Sequence, residues 1–252
     1  MKNQKISYEN LAANFDHDRA LTQVKKTLWQ ELIDKVFRLS QNSSILDIGC
    51  GTGRFAELFE SVYHCNVVGL DPSPAMISQA KTKNSREIKW ILGKAENLPF
   101  LSNTFDLCFA SQVIQHFNPI NKALQETYNV LRNGAQVGIR ASSHAQLQTI
   151  LDYRFFPSGI EIEHERLPDI PVIEKMLLDI GFREIQEYLI KQPLFESPYN
   201  YLEKLRNKYA SFLFLISEEE FQKGLNYATE YLQTDFSPEE RYAEITLLVG
   251  CK

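Results

Sequence analysis

The chain is poor in cysteine, and the four it has, Cys50, Cys65, Cys108 and Cys251, are scattered along 252 residues. No C-x-x-C occurs and no Cys/His spacing suits zinc, so free thiols in a reducing compartment are expected and a metal is not. Long apolar runs are also missing. No segment approaches the ~20 apolar residues that span a bilayer, and the N-terminus lacks a basic start followed by an apolar stretch. A soluble, cytoplasmic protein with no membrane partner is the expectation. Basic charge is not in excess either: 27 Lys and Arg face 32 Asp and Glu, for a net charge of -5. That balance argues against a broad phosphate-binding face and hence against a nucleic acid partner. What is there is ordinary globular material, 44% hydrophobic and 23% charged, enough to build a core. A chain of this length can be one α/β domain with a lid.

The most informative stretch is ILDIGCGTGRF, Ile45 to Phe55. An apolar run broken by one carboxylate has the look of a buried parallel strand, and it ends in Gly49, Gly51 and Gly53. Without Cβ atoms the chain can turn sharply there and a ligand can lie against the peptide groups. Phe55, Leu58, Phe59 and Val62 then follow at helical spacing. Strand, glycine turn and helix make a nucleotide-binding unit. The dinucleotide fingerprint would need glycine or alanine where Arg54 stands, and no Gly-Lys-Ser/Thr marks a P-loop. A second strand, Asn66 to Leu70, ends in Asp71, which places a carboxylate where a ribose diol would sit.

Beyond the turn, strands alternate with helices: a helix from Ser73 to Lys81, strands at Ile88 to Leu92 and Phe105 to Ala110, a helix from Ile120 to Leu131 ending at Asn133-Gly134, and a strand at Gln136 to Arg140. Such alternation implies a mainly parallel, doubly wound α/β sheet with its ligand at the carboxyl ends of the strands. A helix before the first strand carries Leu21, Val24, Leu28, Leu32 and Val36, and another spans Leu167 to Phe182. Two further pieces, Ala141 to Arg166 and Phe195 to Glu240, are rich in aromatics. The second contains a capping box, Ser217 with Glu220. A helical lid over the ligand side is expected from them. Tyr153, Phe155 and Phe156 are candidates to line a substrate pocket, whereas Tyr209 and Phe212 read better as a core internal to the lid.

Four motifs in register, ILDIGCGTG, VVGLDPSPAMI, GKAENLPF at Gly93 to Phe100 and FDLCFASQVIQHF at Phe105 to Phe117, resemble the class I S-adenosylmethionine-dependent methyltransferases. The likeness is to the small-molecule group related to ubiquinone/menaquinone C-methyltransferases, and it runs from Ile45 to about Gly138. It implies a seven-stranded, mostly parallel sheet whose last two strands, Glu184 to Lys191 and Ala243 to Cys251, form an antiparallel hairpin. The whole chain, residues 1–252, would be one methyltransferase domain with lid elements at 1–40, 141–166 and 195–240. The cofactor would be S-adenosyl-L-methionine. By this resemblance Asp47, Gly49, Gly51 and Gly53 hold its methionine end and Asp71 its ribose, with Cys50 inside the turn and Pro72 and Met76 past the acidic strand end. Lys94, Ala95 and Glu96 face adenine. Lys94 replaces the family's common aspartate and cannot accept a hydrogen bond, so adenine would be read by backbone or by Glu96, unless Glu96 is merely a solvated loop carboxylate. Ser111 and Gln112 lie where the methyl group emerges. FDHDRA, at 15–20, resembles the family's Y-D-x-x-R run, so Tyr8 and Phe15 either wall the cofactor and substrate or staple the first helix to the body.

The reaction so implied is methyl transfer to an O, N or C atom of a small, aromatic or otherwise apolar metabolite by a monomer or homodimer. A non-catalytic cofactor-binding regulator remains an alternative, and a nicotinamide oxidoreductase a weaker one, disfavoured by Arg54. Acceptors that lose a proton want a base, and His116 and His144, placed after the fourth and fifth strands, are the two candidates.

Overall fold

In a computed structural model, residues 21–83 and 87–252 are described. Helix α1 (Gln23–Val36) precedes β1 (Ser44–Ile48), α2 (Arg54–Tyr63), β2 (Asn66–Asp71), α3 (Pro74–Thr82), β3 (Lys89–Leu92) and β4 (Phe105–Ser111). After a 3-10 turn at Ile114–His116 come α4 (Ile120–Val130) and β5 (Leu131–Ala141). Three short helices follow, α5 (His144–Leu147), α6 (Asp152–Phe155) and α7 (Ser158–Arg166), then α8 (Ile170–Ile180) and β6 (Arg183–Pro193). Helices α9 (Pro198–Arg206) and α10 (Glu218–Thr234) lead to β7 (Tyr242–Cys251).

The seven strands form one sheet in the order β3-β2-β1-β4-β5-β7-β6. Pairs β3 to β5 are parallel, and β7 runs antiparallel between β5 and β6. The order reverses at β1 and β4, so the loops after these strands open a crevice at their carboxyl ends. The sequence explains the central strands directly: Ile45, Leu46 and Ile48, and Phe105 to Ala110 apart from half-buried Asp106, are covered on both faces by two apolar clusters, the continuous hydrophobic pattern of buried parallel strands. One cluster joins α1 and α2 to the sheet through Trp29, Ile33, Phe55, Phe59 and Phe109. The other holds α4, α8 and the helices that follow β5 and β6.

Three local readings of the sequence are corrected. Helix α1 buries its expected stripe only in part: Leu21, Leu28, Leu32 and Val36 pack half-buried against the core. Val24 is exposed, and the most buried positions are Lys25, Trp29 and Ile33, with Phe37 one turn further. Bulk decides this, since Trp29 fits edge-on against Phe55 with centroids 5.2 Å apart and gives its indole N–H to Gln192. Helix α4 ends at Val130 rather than at Asn133-Gly134, because Leu131 is fully buried and pairs with Phe105. At α10, Ser217 Oγ accepts from the Glu220 amide at 3.1 Å, but the Glu220 carboxylate turns away to accept from the Ser158 amide and hydroxyl. Only half of the expected capping box forms, and the other half ties α10 to α7.

Candidate active site

The glycine turn is built by backbone that only glycine adopts without strain. Gly49, Gly51 and Gly53 have φ of +66°, +55° and +86°. The Gly49 and Cys50 amides both donate to the Leu70 carbonyl, at 2.7 and 3.1 Å, which clamps the turn to the end of β2. A Cβ on Gly49 would lie 2.3 Å from the Val113 side chain. Gly53 faces elsewhere: a Cβ there would meet the Trp90 ring at 2.2 Å, so the third glycine serves packing of α2 on β3.

Two buried carboxylates frame this turn. Asp71 accepts from the Gly51 amide at 2.9 Å through one oxygen and from the Ser73 amide at 2.8 Å through the other. Each carboxylate oxygen retains a lone pair for a further donor. Burial raises the Asp71 carboxyl above its ordinary range while these amides oppose that rise. Asp47, at the heart of β1, accepts from the Ala56 amide at 3.1 Å. Burial pushes its pKa up to about 7, against the Ala56 hydrogen bond and the nearby Arg54. A cation brought beside Asp47 would restore its charge. The same burial, with Asp47 and Asp71 adding to it, holds the Cys50 thiol well above its ordinary pKa, so it is no nucleophile.

At the end of β4 the backbone itself is strained. Gln112 has φ +54°, a conformation rare outside glycine that clusters at functional sites. Its amide donates to the Arg140 carbonyl at 2.8 Å, and its side-chain amide reaches Ser142 Oγ at 3.3 Å. Gln115 donates to the Gln112 carbonyl at 3.2 Å, leaving its own buried Oε1 without a partner among the described residues.

These parts meet in one cavity of about 270 Å³. Of the residues singled out from sequence, Asp47, Gly49, Cys50, Gly51, Asp71, Pro72, Met76, Ser111, Gln112, His116 and Tyr153 line it. Gly53 does not, for the packing reason above. Lys94, Ala95 and Glu96 also lie off the lining: Lys94 is exposed, and the Glu96 carboxylate accepts the Asn118 amide at 2.5 Å. His144 is turned away as well. Its Nε2 meets the Leu167 carbonyl at 2.8 Å and its ring stacks on His164 with centroids 4.2 Å apart. Phe155 and Phe156 pack within the helical layer, Phe156 stacked on Phe221 and Phe155 against Tyr227 and Tyr231. Tyr209 and Phe212 belong to that core as expected, Phe212 packing on Tyr153 and Phe156, and they line the cavity as well. Tyr209 donates to Asp152 at 2.5 Å, and Tyr201 donates to the other oxygen of the same buried carboxylate. Tyr8 and Phe15 lie outside the described residues.

Sequence reasoning missed Lys25, Arg140, Gln115 and Gln192, all on the lining. Lys25 is masked by its neighbours in a helix read for leucines, and Arg140 by its place within an apolar strand. The one available signal was an arginine at the carboxyl end of β5, where this fold puts its ligand.

A carboxylate at the end of β2, open glycine backbone after β1 and a strained residue after β4 surround the switch point of an α/β fold, where a nucleoside-type ligand can be received. Residues 46–139 match the family model of a methyltransferase domain. A malonyl-[acyl-carrier protein] O-methyltransferase of Buchnera aphidicola subsp. Baizongia pistaciae is 31% identical over 141 residues, 56% of this chain and 55% of that protein. A 2-phytyl-1,4-naphtoquinone methyltransferase of Thermosynechococcus vestitus is 24% identical over 75% of this chain and 94% of that protein. Among solved structures, one from Anabaena variabilis ATCC 29413, described as a methyltransferase of an antibiotic biosynthesis pathway, superposes with a TM-score of 0.78. It is 22% identical and covers 92% of this chain and 100% of its own. The chain spans about half the length of most of the curated malonyl-[acyl-carrier protein] O-methyltransferases it matches. Residues 46–139 are thus similar to a methyltransferase domain, the relatives named above are methyltransferases, and the solved structure shares the fold.

Proposed function

We propose that this protein transfers a methyl group from S-adenosyl-L-methionine to an O, N or C atom of a small, aromatic or otherwise largely apolar metabolite. The observation that carries this reading is a single cavity lined both by the glycine turn with Asp47 and Asp71 and by Tyr153, Tyr209 and Phe212, room for a polar cofactor and an apolar acceptor in one enclosure. The names of the relatives, an O-methyltransferase and a quinone methyltransferase, support transfer to a small or carrier-borne acceptor.

The residues fit the cofactor. Asp71 has lone pairs for two ribose hydroxyls, and Asp47 is a buried carboxylate that wants a cation, which the methionine ammonium supplies. When bound, the cofactor contributes an already activated methyl on a sulfonium, so the protein's task is to hold the acceptor in line and keep water out. Gly49 and Gly51 let that group approach the backbone, while Ser111 and Gln112 flank the place of transfer. Lys94, Ala95 and Glu96 would contact adenine through backbone atoms, Glu96 having committed its carboxylate to Asn118. His116, exposed at the cavity wall, takes the proton where the acceptor must lose one. His144 acts structurally. Segments 1–40, 141–166 and 195–240 serve as the lid of a single domain that works as a monomer or homodimer. No helix among the described residues is long and apolar enough to cross a membrane. Incubation with methyl-labelled cofactor and a panel of phenols, amines and quinones should give labelled product together with S-adenosylhomocysteine. Cofactor binding with no transfer to any acceptor would favour a binding-only role.

A further inference from the structure

Lys25 is nine-tenths buried, at 9% exposure, and lines the cavity. Among the described residues it has neither a hydrogen bond nor an ion pair. The carboxylates of the cavity are engaged elsewhere: Asp47 and Asp71 by backbone amides, Asp152 by tyrosine hydroxyls, and Glu163 by Arg166 at 3.5 Å. The charges that act on Lys25 are mostly of its own sign. Burial first, then Lys204, Arg140 and Arg54, push its pKa down to about 7, and among the described residues exposed Glu196 opposes them. Beside it, the Arg140 guanidinium lies 5.2 Å from the Trp29 ring and 5.8 Å from that of Phe55. It donates to Ser111 Oγ at 3.1 Å. Aromatic support of this kind fixes the planar fork that matches a carboxylate.

A buried ammonium among like charges is costly unless something anionic joins it. Resting on the reading of the cavity as a joint cofactor and acceptor site, we propose that the acceptor carries a carboxylate, which Lys25 and Arg140 receive. Its apolar remainder lies against Tyr153, Tyr209 and Phe212. The cofactor also bears a carboxylate, but Arg54 directly follows the glycine turn that holds the methionine end. Arg140 is placed two strands further on in the sheet, in register with Ser111, where the acceptor meets the methyl group.

The test titrates two pairs of probes, phenylacetate with phenylacetamide and hexanoate with hexanamide, into protein saturated with S-adenosylhomocysteine. At least one carboxylate should bind and its amide should not. Lys25→Met should weaken that carboxylate about tenfold or more, as loss of one partner from a buried charge pair does, and Lys25→Arg should restore most of it. Affinity for S-adenosylhomocysteine should change little in both variants, which also shows that they fold. The proposal is overturned by carboxylates that bind no better than their amides. It is equally overturned if Lys25→Met loses S-adenosylhomocysteine by the same factor, because the cluster would then serve the cofactor's own carboxylate. Wild-type protein that fails to bind S-adenosylhomocysteine would instead overturn the cofactor reading beneath it.

Discussion

Lys25→Met should make the cofactor-free protein more stable, and by an amount that depends on pH. Lysine ordinarily keeps its proton to 10.5, and in the fold it loses it near 7. At about 1.4 kcal/mol per pH unit, that difference amounts to a penalty on the order of 5 kcal/mol. The sign follows from proton binding. Below pH 7 the lysine is charged in both states and the folded protein bears the whole penalty. Between 7 and 10.5 the unfolded chain holds a proton that the folded one has released, so wild-type stability rises with pH. Above 10.5 the penalty is gone. Methionine has a similar length and no charge, so it never bears the penalty. Urea unfolding near pH 6 should therefore show the variant more stable by roughly 2 to 5 kcal/mol, and near pH 9 the advantage should shrink by ~3 kcal/mol. An advantage that stays constant between these pH values, or a variant less stable at pH 6, would refute the placement of an uncompensated ammonium against the cavity.

Gly53→Ala should cost roughly 1 to 3 kcal/mol of stability, since its Cβ would sit 2.2 Å from the Trp90 ring at a φ of +86°; urea unfolding reads this, and a neutral effect would mean that Trp90 moves freely. His144→Asn should lower the melting temperature, because its Nε2 contact to the Leu167 carbonyl and its stacking on His164 are lost, while turnover of the folded protein is kept. His116→Gln should do the reverse with acceptors that lose a proton; a turnover loss under about tenfold, only ~1.4 kcal/mol of barrier, would remove it as the base. Turnover should survive a chelator, and activity lost to EDTA and regained with a divalent ion would contradict catalysis by positioning alone.

The sheet was legible from sequence because its central strands are short apolar runs, the first closed by a glycine turn and the second by a carboxylate. These are local signals, read within a few residues. Ile45 to Asp47 and Phe105 to Ala110 are examples, and the turn residues that follow them line the cavity as their motif suggests. Where burial depends on distant partners, sequence misled. Trp29 lies deeper than the leucines on α1 because Phe55 and Gln192 receive it. Glu220 leaves its helix cap because Ser158 offers two donors. The aromatics after β5 and β6 sort into lining and core through contacts across 50 residues or more of chain, such as Phe156 on Phe221. No periodicity encodes such pairings. The basic wall was invisible for the same reason: Lys25 and Arg140 are far apart in the chain, and each looks unremarkable in its own helix or strand.

The central claim, a cofactor seated on the glycine turn with its ribose on Asp71, is most directly tested by calorimetric titration of S-adenosylhomocysteine into the wild-type protein and Asp71→Ala. Asp71 is buried and also holds the Gly51 and Ser73 amides, so its removal strips acceptors from both the ligand and the turn, at ~1 to 3 kcal/mol for each unsatisfied group. The account predicts one site per chain in the wild type and an affinity at least about tenfold lower in the variant. Equal affinity in the two proteins, or no binding to the wild type, would contradict it.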